Sequence, residues 1–300
     1  MASKAEPFIH WAPEAGLEEL SGIHRLAVSS RGTLAGATLN NQLFVLEPQG
    51  LRFIAVLDPS ENKSLWNTAI HAIAWDQTGE SLLIAEGSRI TSVEASSGLI
   101  QWRIMLKEFL PFMASSALTL SLMPSGSLAL ATEAGVWQMW SASGAMLRKR
   151  KDHAAPYSVG VTSLGNLLGT DGHVVTEWDG ETFEPLRRQF SEGRVHSIAP
   201  CPGTPLQWWG KVETDLVLME FGRDEPLFKV ATRPGLPAIS ASVDGHEAAW
   251  IEENRVMVVL NGGEPRDVME ADSRALSVAF LPDGRLASGW ADGQIRVARS

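Results

Sequence analysis

The sequence predicts an all-β chain folded as a closed ring of seven four-stranded sheets, on three observations. A short strand and a polar turn ending in glycine recur seven times, with the glycines at 32, 79, 126, 165, 203, 245 and 284. Two further turns follow most of these glycines at nearly fixed offsets, so a unit of about forty residues holds four strands. Apolar residues alternate within the strands, the period of a sheet rather than of a helix.

The copies read LAVSSRG, IAWDQTG, LSLMPSG, VGVTSLG, SIAPCPG, ISASVDG and VAFLPDG, at spacings of 47, 47, 39, 38, 42 and 39 residues. Second turns follow at Asn40-Asn41, Gly87-Ser88, Ala134-Gly135, Asp171-Gly172, Glu253-Asn254 and Asp292-Gly293, and third turns at Gly50, Gly98, Gly144, Gly180, Gly222 and Gly262-Gly263. The expected units are 21–57, 68–106, 115–150, 156–190, 194–230, 236–270 and 273–300, the last completed by residues 6–11. A small sheet with two apolar faces hides both only against neighbours, which argues for a ring. The seventh unit reaches Ser300 after its third strand, so Glu6 to Trp11 is expected to pair with it and close the ring, with Pro7 at an outer edge.

Composition bounds the function. With 44% hydrophobic and 20% charged residues, the chain can bury a full core and is not disordered. A net charge of −10 argues against a protein whose main work is clamping phosphates. The single cysteine, Cys201, excludes an intrachain disulfide and a multi-cysteine zinc site. No apolar stretch of signal-peptide length opens the sequence, so a cytoplasmic setting is expected. Phe109 to Thr132 carries no charge apart from its flanks and is long enough to span a bilayer, but Pro111 and the Pro124-Ser125-Gly126 turn divide it, and no membrane insertion is expected.

The last unit, from Ala275 through Pro282-Asp283-Gly284 and Ala291-Asp292-Gly293 to Val297, resembles a WD40 repeat, and the other six units resemble degenerate relatives of it. The resemblance implies a seven-bladed β-propeller that serves as a rigid docking platform, with no cofactor and no chemistry of its own. The family's Trp-Asp pair at the end of the third strand is expected to be missing. Ala298-Arg299 stand there in the last unit, and only Trp140 keeps a tryptophan. Its Gly-His dipeptide is missing too, so the blades are expected to cohere by apolar packing.

Catalytic patterns fail on inspection. Gly210-Lys211 is followed by Val212 and lacks the first glycine of a phosphate loop, His246-Glu247 lacks the second histidine of a zinc-protease helix, and Ser163 is spaced too widely for a nucleophile elbow. Candidate contacts lie elsewhere. His24 and His71 stand eight residues before their unit glycines, Tyr157 holds that place in the fourth unit, and His196 does so if the fifth register runs one later. In WD40-like rings this place is near the channel mouth on the binding face. Such groups receive a peptide, gather a metal through the three histidines, or merely cap strand ends. Phe109, Leu110, Phe112 and Met113 crowd a long inter-unit segment and form either a partner anchor or a plug over the ring. Arg148, Lys149, Arg150 and Lys151 form a basic run, read as a solvated outer strand or as a dock for an acidic tail or RNA. Trp66 and the Trp208-Trp209 pair are candidates for exposed anchors.

The leading expectation is a non-catalytic protein–protein interaction platform. The alternatives are a propeller-type metal-dependent hydrolase or lyase, and an RNA-binding propeller using residues 148–151.

Overall fold

A computed structural model describes residues 22–47, 50–56, 70–106, 117–132, 135–151, 156, 158–233, 238–260 and 262–300. The first sheet holds β1 (Ile23–Val28), β2 (Leu34–Thr38), β3 (Gln42–Glu47) and β4 (Gly50–Val56), and the second β5 (Ile70–Trp75), β6 (Ser81–Glu86), β7 (Arg89–Glu94) and β8 (Ile100–Met105). The third holds β9 (Ala117–Leu122), β10 (Leu128–Thr132), β11 (Val136–Trp140) and β12 (Met146–Lys151), and the fourth β13 (Ser158–Val161), β14 (Leu167–Thr170), β15 (Val174–Trp178) and β16 (Pro185–Phe190). The fifth holds β17 (Val195–Pro200), β18 (Gln207–Val212), β19 (Asp215–Glu220) and β20 (Phe228–Ala231), and the sixth β21 (Ile239–Ala241), β22 (Glu247–Glu252), β23 (Arg255–Leu260) and β24 (Arg266–Glu270). The seventh has three described strands, β25 (Ala275–Phe280), β26 (Arg285–Trp290) and β27 (Ile295–Arg299). Every sheet is an antiparallel meander.

The first strands touch in sequence, β1 to β5, β9, β13, β17, β21 and β25, and β25 returns to β1. The chain is therefore an all-β, seven-bladed propeller whose first strands line the axis. The expected strand at Glu6 to Trp11 lies outside the described residues.

Seven apolar clusters fill the seven blade interfaces, one each. Between blades 7 and 1, Ile23, Leu34 and Phe44 meet Leu281, Ala287, Ile295 and Val297. Removing each such large side chain from water contributes roughly 1.5–3 kcal/mol, which offsets the ordering of seven separate sheets.

The unit glycines build the turn between first and second strands. Gly32, Gly79, Gly126, Gly165, Gly245 and Gly284 all have φ between 72 and 84°, where a side chain is disfavoured. Each donates its N–H to the carbonyl three residues earlier, as Gly79 does to Asp76. Gly203 departs from this pattern. The extra residues Thr204 and Pro205 lengthen its turn, and Thr204 N–H closes it on Cys201.

Two expectations need correction. Trp208 and Trp209 are 2% and 0% exposed, so neither is a surface anchor. Alternation would expose one of them, but a second strand is sandwiched by neighbouring blades on both faces. The Trp-Asp pair is also present, in blade 4. Trp178 ends β15 in the core, and Asp179 opens the next turn by accepting hydrogen bonds from the Thr182 and Glu181 N–H groups and the Thr182 hydroxyl.

Candidate functional site

The alternation of the meanders puts three features on one rim: the start of each first strand, the turn between second and third strands, and the segment joining one blade to the next. Hydrogen bonds tie them together, for example from Val195 N–H to Gly172 O and from Ala275 N–H to Glu253 O. This rim is the loop face.

A bulge recurs there. In β1, β5, β9, β17 and β25 the pairing with the second strand skips one residue: His24, His71, Leu118, His196 and Leu276. The histidine column of the sequence is thus a bulge column. A bulged residue leaves the ladder and its side chain is re-aimed. His24 and His196 are half-buried, and so is His71. His24 Nε2 lies 2.9 Å from the Ile70 carbonyl, which requires the proton on that nitrogen. Burial, with Arg25 and His71 nearby, lowers the His24 pKa, so the ring is neutral at pH 7 and straps blade 1 to blade 2. Tyr157 lies outside the described residues, as do Phe109, Leu110, Phe112, Met113 and Trp66.

The position after the bulge forms the innermost ring, with Arg25, Ala72, Thr119, Ser158, Ser197, Ala238 and Ser277 in the seven blades. All but Ser277 line a polar cavity of about 360 Å³ at the loop-face mouth of the channel. Arg25 Nε donates to the His71 carbonyl at 2.6 Å and Nη1 to the His24 carbonyl at 2.9 Å. Arg25 keeps contact with water, yet the surrounding ring lowers its pKa by desolvation. Arg25 was hardly legible in the sequence. A cation in an otherwise apolar first strand was the available signal. The other mouth of the channel is mixed, with Val28, Trp75, Leu122, Met123 and Pro124 beside Ser29, Asp76 and Gln77.

Between blades 4 and 5 a groove of about 490 Å³ opens at the loop-face shoulder. Val175, Trp208, Val212, Val217 and Met219 line it, and Phe190, 80% exposed, stands at its edge. Glu192, Glu213, Asp215 and Asp224 also line it, against one cation, Lys229, which pairs with Asp215 at 2.8 Å.

The basic run occupies β12, the outer strand of blade 3. Arg148 and Lys151 are exposed there, and Lys149 and Arg150 partly so. Arg150 pairs with Glu184 of blade 4, and Arg148 sits close enough to Asp179 to lower its pKa. Neighbouring carboxylates therefore offset part of this charge. Among the described residues, no three His, Cys, Asp or Glu side chains gather to hold a metal ion, and no helix is long and apolar enough to cross a membrane.

No known family profile and no curated protein matches the chain. Solved structures do match. A chain of the mitotic checkpoint complex is similar over 100% of this chain and 98% of its own, with a TM-score of 0.73 at 15% identity. A streptogramin B lyase structure is similar over 98% of both chains, with a TM-score of 0.76 at 12% identity. A complex subunit and a lyase thus share this fold, and the likeness shows the fold alone.

Proposed function

We propose that the chain is a non-catalytic interaction platform that presents the loop face of its ring to a partner protein in a cytoplasmic complex. The observation that carries this reading is the groove between blades 4 and 5, where the exposed Phe190 stands over an apolar floor. Large aromatics beside a desolvated floor are where interface energy concentrates. The carboxylate rim favours an extended partner segment with an apolar side chain flanked by Lys or Arg. Phe109, Leu110, Phe112 and Met113, in the sequence between β8 and β9, are a second proposed contact. His24, His71 and His196 at the mouth, with Tyr157 at the equivalent sequence position, are a third, and Arg148 to Lys151 an outlying basic contact. The fold likeness does not separate this reading from a propeller hydrolase or lyase, because a complex subunit and a lyase share it. The loop-face mouth supports the platform reading, since no Asp or Glu among the described residues lines it to hold a metal or act as acid and base.

The test is affinity purification of the native protein beside two variants, Phe190→Ser and the double variant Phe109→Ser with Phe112→Ser. A stoichiometric partner chain is expected with the native protein and is expected to be lost from at least one variant whose thermal melt is unchanged. Equal recovery from both variants overturns the loop-face reading.

A further inference from the structure

We infer that the loop-face mouth of the channel is a receptor for a carboxylate group, centred on the Arg25 guanidinium and completed by the hydroxyls of Thr119, Ser158 and Ser197. The inference goes beyond the platform reading and does not depend on it.

Seven equivalent positions face the mouth. Six hold Ala, Ser or Thr, and one holds arginine. Small residues leave the space that the long side chain and a ligand require. Two N–H groups of Arg25 are anchored on the His71 and His24 carbonyls, which fixes the plane of the guanidinium. The rest of its five N–H donors remain for a ligand. Arg25 forms no ion pair among the described residues, and no Asp or Glu of those residues lines the cavity. The cation is thus held in place with no counterion among the described residues.

The hydroxyls agree with this. Thr119 and Ser197 are 7% and 6% exposed, and their oxygens find no hydrogen-bond partner among the described residues. A buried hydroxyl without a partner costs about 1–3 kcal/mol, which an oxyanion accepting its proton would recover. Ser158 accepts from Ile198 N–H at 3.0 Å and keeps its own proton to donate. One guanidinium with neutral donors matches a singly charged planar group. A phosphate dianion would call for a second cation. The opposite mouth offers no cation among its described residues and carries the Asp76 carboxylate, which repels an anion, so the charged end enters from the loop face.

The probes are succinate, as a free small carboxylate, and a synthetic peptide ending in three glutamates, titrated at low ionic strength while the Arg25 Nε–H resonance is followed. The native protein is expected to bind at least one probe saturably and to shift that resonance. Arg25→Gln is expected to weaken binding about tenfold or more. Ala72→Asp leaves Arg25 in place but sets an internal carboxylate beside it, and is expected to abolish binding in a protein that melts like the native one. Binding of the peptide alone assigns the site to an acidic protein segment, and equal binding of succinate assigns it to a small carboxylate. Absence of saturable binding by both probes overturns the inference, as does binding unaffected by either variant.

Discussion

The Ser277 hydroxyl donates a 2.9 Å hydrogen bond to the Ile23 carbonyl, joining the first strand of the last blade to the first strand of the first blade across 254 positions of chain. Gly289 lies behind this pair, and a Cβ there would come within 2.6 Å of the Ile23 carbonyl and of Ser277 Oγ. The ring therefore closes at a point with no spare volume. Ser277→Ala is expected to lower stability by about 1 kcal/mol, the net value of one hydrogen bond. Gly289→Val is expected to cost more, about 1–3 kcal/mol, through overpacking. Urea titrations give both values. Equal stability of Gly289→Val and the native protein would show that the seam is loose.

A second prediction concerns the turn between β6 and β7. Glu86 and Arg89 are both buried there, 3.3 Å apart, and the Thr91 hydroxyl donates to Glu86 at 2.9 Å. Removing Glu86 takes a countercharge from the buried Arg89 and from Arg103, which lies 3.9 Å from the same carboxylate. Glu86→Ala is expected to cost about 3–5 kcal/mol, and Glu86→Gln less. A denaturation midpoint unmoved by Glu86→Ala would contradict the burial of Arg89.

Acid should loosen two turns. Hydrogen bonds from the Thr182 backbone and hydroxyl lower the Asp179 pKa, and the Ser242 hydroxyl with the His246 N–H does the same for Asp244. A depressed folded pKa contributes stability that is present above the unfolded value, about 3.9, and is lost as pH falls through the folded one. Asp244 is exposed and Asp179 partly so, and solvent screening keeps the contribution small. The melting temperature is expected to drop below about pH 4 and to drop less steeply in Asp179→Asn. A slope identical in native protein and variant would remove Asp179 from this explanation.

Cys201 offers a thiol probe of unfolding. It is 1% exposed, and burial raises its pKa to about 12. At pH 8 the native thiol is expected to resist an aromatic disulfide reagent and to react fully in denaturant. The sign follows from the raised value: the stabilisation is present below the unfolded pKa of about 8.5 and is lost as pH rises above it. Rapid labelling without denaturant would contradict the packing around β18.

The turn skeleton was legible because Gly32, Gly79, Gly126, Gly165, Gly245 and Gly284 must adopt positive φ, a demand that leaves its mark residue by residue. The apolar columns were legible for the same local reason. Features that depend on neighbouring blades were not. Trp208 and Trp209 look like an alternating pair until blades 4 and 6 cover both faces of blade 5. The histidine column showed its spacing but not the bulge that creates it. Arg25 acquired meaning only when the six small residues of the other blades were placed around it. Trp178-Asp179 was hidden because the fourth unit is short and reaches the end of its third strand early.

The central claim is that the loop face, and not its opposite, receives the partner. Leu164 and Val243, 65% and 64% exposed, lie in turns between first and second strands on the opposite face, so they serve as matched controls for Phe190. The decisive measurement is a calorimetric titration of the co-purified partner into Phe190→Ser and into Leu164→Ser with Val243→Ser. The predicted result is a dissociation constant raised about tenfold or more by the first variant, the scale of an interface hot spot, and unchanged by the second. Weakening by the opposite-face variant with full affinity retained by Phe190→Ser would contradict it.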